Sequence, residues 1–556
     1  MVAARPKPSD STTVTEHADF QLHESRAARA LQGHSDAVGD TSMRELFSRD
    51  AARFERFSCT ADGLLLDYSK QRITPAVMAE LLALADEARL KDGIAAMLAG
   101  EPVNFTENRA ALHCAARMFE PTPAAARAEI AATRKRLDTF VARVHAGEFV
   151  GATGRPIRHV VHLGIGGSDL GPRLLAEAFA PSLPTRLELS FAANVDDTEI
   201  RAILDRANPA ETLFIVASKS FSTAETLFNA RAARSWLSAA LGADADISRH
   251  FVAISNNVAA AVAFGIAEDT TFPMPEWIGG RFSVWSAIGL PLMLAFGPEV
   301  FDDFLAGGRS MDTHFATAPF AANLPVIAAL LGIWNATFLG LDGHAVLPYS
   351  HRLRSLPAYL QQLEMESNGK SVDHQGRPVG WQTAPIIFGG PGTVGQHAYH
   401  QLFYQGTRKV AFDFVLPICT SPSATDRSLF GNALAQSAAL MLGRTLDEAR
   451  AELHARGIDG TEVERLAPHL VCPGNQPSTT LLMPSVTPFT LGQVLALYEH
   501  KVFVQGWIWG INSFDQYGVE LGKNMARDIE AGSDRQRDSS TVGLLAAIDA
   551  MTHKAG

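Results

Sequence analysis

Four hydroxyls and one lysine crowd into six positions at Ser218-Lys219-Ser220-Phe221-Ser222-Thr223. The apolar run Leu213-Phe214-Ile215-Val216-Ala217 precedes them, and a good helix former, Ala224 to Arg231, follows. That order reads as a buried strand, a tight loop and a helix N-terminus. Unpaired N–H groups and the positive end of the helix dipole then face the loop. With the hydroxyl donors they suit a phosphate monoester. A helix cap needs one hydroxyl, so plain capping accounts for one of the four.

Five further segments carry residues able to do chemistry. Val160 to Pro172 is again strand, glycine turn and helix. It fails the dinucleotide fingerprint, because Asp169 stands where the third glycine belongs. It fails the P-loop, because Pro172 occupies the lysine position. A turn at Gly166-Gly167 that lets backbone approach a ligand remains, with Ser168 beside it. Trp277-Ile278-Gly279-Gly280-Arg281-Phe282-Ser283 sets an arginine among apolar residues, where a guanidinium entering a cleft stabilises a developing oxyanion. Pro357 suits a helix start and Asn368-Gly369 its end. Leu356, Leu360 and Leu363 mark the apolar face, and a further step of three reaches Glu366. Partial burial and the negative helix end both suit Glu366 to a general base, while Glu364 is expected to be solvated. Gly392-Thr393-Val394-Gly395-Gln396-His397 presents one histidine on a glycine-flanked loop. Phe514 to Lys523 follows an apolar, Trp-rich helix, and Lys523 at its end favours the helix dipole.

These loops need a frame. Short apolar strands at 159–163, 187–192, 213–217 and 251–255 alternate with helices, the pattern of a doubly wound parallel sheet. Further strands are expected at 345–348, 384–388 and 410–416, giving two α/β sandwiches with helical additions. Residues 70–145 and about 285–340 read as helical. Leu324 to Leu341 is nearly long enough to span a bilayer, but Pro325, Gly332, Asn335 and Thr337 and the lack of flanking cations favour a buried helix. No membrane association is expected. From Ser540, Val542, Leu545, Ile548 and Met551 share one helical face suited to docking.

Composition narrows the classes. A net charge of -11 over 556 residues argues against a nucleic-acid partner. The four cysteines are far apart, so neither a disulfide framework nor a cysteine zinc site is expected, and a reducing cytoplasm is the default compartment. The 18 histidines show no HExxH or paired spacing, so zinc is not indicated. Residues 1–40 are polar without an apolar segment, so no signal peptide is expected there.

Together the segments resemble the glucose-6-phosphate isomerase (phosphoglucose isomerase) family from about residue 45 to 550. The resemblance is carried by Asp67-Tyr68-Ser69-Lys70, Asn104-Phe105-Thr106-Glu107-Asn108-Arg109, Gly279 to Ser283, Met365 to Lys370 and Phe514 to Lys523. It implies two sugar-isomerase-type three-layer α/β/α sandwiches with mostly parallel sheets. The expected divisions are a flexible extension over 1–44, a helical part of the large domain over 45–121, a small sandwich over 122–294, a large sandwich over 295–520 and a helical arm over 521–556. It implies an aldose–ketose isomerisation without metal or cofactor. Glu366 would shuttle a proton between C2 and C1 through a cis-enediol, and Arg281 would stabilise the enediolate. His397 and Lys523 would assist ring opening. Gly167, Ser168, Ser218, Lys219, Ser220, Thr223, Gln362 and Gln516 would hold the sugar phosphate. A homodimer is implied in which His397 completes the neighbouring subunit's site. The family pattern has Asn where Val394 stands and Arg where Gln476 stands.

Competing classes fare worse. A sugar-phosphate sensor would not need Glu366, Arg281, His397 and Lys523 together. The failed glycine fingerprint disfavours a nicotinamide dehydrogenase, and the absent metal spacing a zinc-dependent mannose-6-phosphate isomerase.

Overall fold

A computed structural model describes residues 20–38, 41–242, 244–533 and 536–552. Residues up to Phe514 form one compact unit, and Asp515 onward a second.

Within the first unit, β1 (Ser58–Ala61) and β2 (Leu64–Asp67) form an antiparallel hairpin. The next five strands are β3 (His159–Leu163), β4 (Glu188–Ala192), β5 (Thr212–Ala217), β6 (Phe251–Ile254) and β7 (Thr271–Phe272). They build an all-parallel sheet in the order β4-β3-β5-β6-β7. The last four are β8 (Gly343–Pro348), β9 (Ile386–Gly389), β10 (Val410–Pro417) and β11 (Ser478–Met483). With the hairpin they complete a six-stranded sheet in the order β1-β2-β11-β10-β8-β9, parallel apart from its hairpin edge.

Alternation along the strands makes three layers. Val160, Leu213, Ile215 and Val252 face the main core, while Val161, Phe214, Val216 and Phe251 pack with Ala230, Ala233 and Leu237 of the helix Ala224–Leu241 on the other side. In the larger sheet Val346, Val415 and Leu481 face the main core, and Ala345, Leu347, Phe412 and Phe414 face Ala433 and Leu440. The main core is threaded by the helix Pro488–Trp509, buried at every residue except Phe489. It packs on the helices Pro298–Thr317 and Leu324–Ile333. The apolar 324–341 segment is thus a buried helix, extended by a π turn over Trp334–Phe338. No described helix is long and apolar enough to cross a membrane.

Three expectations change. The helix Arg26–Val38 lies inside the supposed 1–44 extension, yet Ala27, Ala28 and Leu31 sit in the main core with Leu22. Those apolar positions bury a face against the helix Pro75–Glu87, and the rest of the supposed extension before residue 20 lies outside the described residues. The 45–121 segment supplies a strand hairpin as well as helices. The second unit, with helices Tyr517–Glu530 and Ser539–Thr552, begins at Asp515, earlier than the 521 boundary.

Candidate active site

Each candidate loop of the first unit leaves the C-terminal end of a parallel strand, where such sheets open a crevice. After β3 comes a 3-10 turn over Gly166–Ser168. Gly166 has φ +58°, and a Cβ there would meet Gln362 Nε2 at 3.0 Å. A Cβ on Gly167 would lie 2.0 Å from the Gly280 carbonyl oxygen and 2.6 Å from the Arg281 nitrogen. Both glycines are therefore required by close packing against the arginine turn and the glutamate helix. His162 holds the turn, with Nε2 2.7 Å from the Ser168 carbonyl.

The arginine turn is a 3-10 segment over Gly280–Trp285. Arg281 is 3% exposed. Its Nε donates to Ser367 Oγ at 2.6 Å, Nη2 to the Ser513 carbonyl at 2.6 Å and Nη1 to Glu366 Oε1 at 3.2 Å. Gln362 Nε2 donates to the other carboxylate oxygen at 2.8 Å. Both oxygens of the half-buried Glu366 are thus oriented, one by a cation and one by an amide. Lys370 Nζ closes the helix end on the Glu366 and Ser367 carbonyls at 2.9 and 2.7 Å. Ser513 is itself placed by its hydroxyl, which donates to Asn368 Oδ1 at 2.6 Å.

The glutamate helix differs from the sequence reading in one respect. Glu364 is buried, at 3% exposed, and its Oε2 accepts from Lys501 Nζ at 2.6 Å. The apolar stripe runs Leu356, Leu360, Leu363, Glu364 and Ser367, continuing by steps of three and four. Stepping by three from Leu363 picked out Glu366, which flanks that stripe, and left Glu364 wrongly outside it. The turn over Gln361–Glu366 is also a π turn, wider than an α turn.

In the hydroxyl loop, Ser218 Oγ lies 3.0 Å from Thr223 Oγ1, and Ser220 Oγ 2.6 Å from Ser222 Oγ. Thr223 precedes the helix Ala224–Leu241 but makes no side-chain cap, so ordinary capping does not explain these hydroxyls. Phe221 takes φ +51° with its ring buried, which folds the loop tightly. Lys219 Nζ reaches the Glu276 and Ile278 carbonyls at 3.1 and 3.3 Å and Glu276 Oε2 at 3.3 Å. Burial pushes its pKa down, against the pull of Glu276. Lys219 thereby ties the hydroxyl loop to the segment that leads into Arg281. Arg109 joins the same cluster through Glu276 Oε2 at 3.5 Å.

The remaining expected residues stand as follows. His397 follows the short helix Gly392–Gln396, is exposed, and makes no side-chain hydrogen bond to a described residue. The neighbouring Gln396 anchors that loop through Tyr349 Oη at 3.0 Å. Val394 is 65% exposed. Gln476 is buried and staples the Val410 nitrogen and the Phe403 carbonyl at 3.3 and 3.1 Å. Gln516 and Lys523 belong to the second unit, where Lys523 pairs with Glu520 at 3.0 Å. Ser367, Ser513 and Lys501 were not singled out from sequence, and Asn368 only as a helix end. The run Glu499-His500-Lys501 inside an otherwise largely apolar helix was the one available signal, because such charges demand buried partners.

Comparison with known proteins finds relatives along most of the chain. The family model described as "Phosphoglucose isomerase" matches residues 67–545. The chain is 57% identical over 530 residues to the glucose-6-phosphate isomerase of Aromatoleum aromaticum, covering 95% of this chain and 97% of that one. It is 48% identical to a glucose-6-phosphate isomerase of Pseudomonas putida, covering 93% and 96%. The crystal structure of a glucose-6-phosphate isomerase from Chlamydia trachomatis superposes with a TM-score of 0.82 at 31% identity, covering 95% of this chain and all of that one. A family model over most of the chain, near full-length relatives and a shared architecture lead to one conclusion: this chain belongs to the phosphoglucose isomerase family.

Proposed function

We propose that the chain is a glucose-6-phosphate isomerase, interconverting glucose 6-phosphate and fructose 6-phosphate in glycolysis and gluconeogenesis. The observation that carries this reading is the Glu366 carboxylate, held between Arg281 and Gln362 beside the Gly166–Ser168 turn. A carboxylate fixed on both oxygens, next to a buried guanidinium, suits abstraction of a proton α to a carbonyl.

Phosphate binds the 218–223 loop through Ser218, Lys219, Ser220 and Thr223, and remote binding there orients the open-chain sugar. Gly167, Ser168, Gln362 and Gln516 position the sugar. His397 and Lys523 assist ring opening. Glu366 removes the C2 proton of the aldose and returns it to C1. Arg281 stabilises the negative charge on the enediolate oxygen. Two copies of the chain form a homodimer, and His397 completes the neighbour's site. No metal or cofactor takes part in this scheme, and the cytoplasm is its compartment, in keeping with four free cysteines.

The test supplies fructose 6-phosphate to the purified chain in EDTA and measures glucose 6-phosphate. Turnover unaffected by the chelator is expected. Binding of the sugar phosphate without turnover would make the chain a sensor, and activity lost on chelation would require a metal.

A further inference from the structure

Three consecutive charge-bearing residues, Glu499, His500 and Lys501, sit near the middle of the buried helix Pro488–Trp509. Each points to a different neighbour. Glu499 accepts from Arg117 Nη1 at 2.6 Å, and His500 Nε2 lies 2.8 Å from Asp312 Oδ1. Lys501 reaches Glu364 Oε2 at 2.6 Å, with both side chains under 5% exposed. Only the third of these contacts leads to the glutamate helix.

A buried ion pair is a poor way to stabilise a core, since an apolar pair of similar volume serves as well or better. It does fix geometry, because neither charge tolerates losing the other. Here the pair pins the π turn over Gln361–Glu366 to the long buried helix Pro488–Trp509. Glu364 stands two residues before Glu366 in that turn. Glu366 leaves the turn toward Arg281 and Gln362, while Glu364 leaves it toward Lys501. Beside Lys501 lies a small cavity of about 20 Å³ with room for one water, its largely apolar wall interrupted by Lys501, Asp413, His344 and Asn335. Asp413 is held well below the usual carboxylate range by His344 and Lys501, against the opposing effect of burial. Lys501 Nζ is thus held by Glu364 Oε2 at 2.6 Å, with Gln505 Oε1 at 3.5 Å as its other polar neighbour.

We propose that Glu364 and Lys501 are positioning residues for Glu366: their ion pair sets the π turn that aims the Glu366 carboxylate at the reacting carbons. This inference rests on the reading of Glu366 as the base. It separates alignment of the base from phosphate binding, which the 218–223 loop performs.

The test compares Lys501→Met, Glu364→Gln and the double variant Glu364→Gln/Lys501→Met with the wild type. Each single change leaves one partner unmatched, so both should lower the melting temperature. The double variant removes both charges and should recover most of that loss. Its kcat should nevertheless stay down by roughly 10–100-fold, with a much smaller change in KM for fructose 6-phosphate, because the phosphate loop that supplies most of the binding is untouched. A double variant that regains both melting temperature and kcat would reduce the pair to charge compensation and overturn the proposal. Crystal structures of wild type and double variant read the same question without turnover. The Arg281–Glu366 contact should be lost in the double variant, and its retention would overturn the proposal even if the wild type were not an isomerase. A wild type without isomerase activity would refute only the reading of the site.

Discussion

Arg281 approaches Glu366 from a fixed base: its Nη1 lies 3.2 Å from Oε1, while Nε and Nη2 are committed to Ser367 and the Ser513 carbonyl. The guanidinium is therefore a pre-oriented charge, which does not need to reorganise when an enediolate forms. A lysine has a single ammonium on a flexible stem and cannot reproduce that fork. Arg281→Lys is expected to lower kcat roughly 100-fold with a smaller change in KM. Steady-state kinetics check this, and a variant within a few-fold of wild-type kcat would remove Arg281 from the chemistry.

Glu366→Gln keeps the volume of the side chain and its contact with Gln362 while removing the base. Catalysis should fall by roughly two or more decades, with substrate still bound. The wild type should exchange C2 deuterium of labelled glucose 6-phosphate with solvent during turnover. Near-normal turnover in the glutamine variant would assign the proton transfer elsewhere.

The sequence revealed the elements whose composition is simple. The β3, β5, β6, β8 and β10 strands are apolar runs, because both their faces are buried. The β11 strand escaped because it opens Ser478-Thr479-Thr480, all buried. Thr479 donates sideways to Asp413 Oδ1 at 2.6 Å, and nothing local announces that partner. The Arg281–Glu366 contact joins residues 85 apart, so each was legible as a type and the pairing came from motif resemblance. Glu364 was misread because a step of three from Leu363 reaches Glu366, whereas a step of four from Leu360 reaches Glu364. Only the tertiary position of Lys501 decides between them.

The hydroxyl loop offers a binding prediction. Its hydroxyls bond one another and do not cap the following helix, so a phosphate oxygen can take their place without breaking secondary structure. Ser220→Ala combined with Thr223→Ala should weaken binding of 6-phosphogluconate by about 1–3 kcal/mol. Calorimetry reads this directly, and unchanged affinity would place the phosphate elsewhere.

His162 gives a pH prediction. It is fully buried beneath the Gly166–Ser168 turn, and burial lowers its pKa to about 4, despite the opposing Ser168 carbonyl bond. Between pH 6.5 and 4 the unfolded chain binds a proton there that the folded chain does not. Stability is therefore complete above pH 6.5 and is lost as the pH falls through that window, by on the order of 3 kcal/mol for this group. His162→Gln retains a donor for the Ser168 carbonyl and cannot titrate. Its urea midpoint should fall less than that of the wild type between pH 7 and 4. His374, also lowered to about 4 by burial, remains in both proteins and cancels in the comparison. Parallel curves would show that His162 does not report the pH dependence.

The last prediction concerns His397, whose exposed ring has no hydrogen-bond partner among the described residues of its own chain. If it acts across a two-fold interface, each site combines Glu366 of one chain with His397 of the other. A Glu366→Ala chain and a His397→Ala chain should each be poorly active alone. Unfolding and refolding them as an equal mixture produces heterodimers. In each heterodimer the His397→Ala chain keeps its own glutamate and receives an intact histidine from its partner. One of its two sites is then fully wild type, and the other carries both lesions. Random pairing makes half the dimers mixed, so activity should rise to about a quarter of wild type. Tagged chains separated by charge confirm that exchange has occurred. A mixed population no more active than the average of its parents, with exchange proven, would assign His397 to its own chain's site or to none.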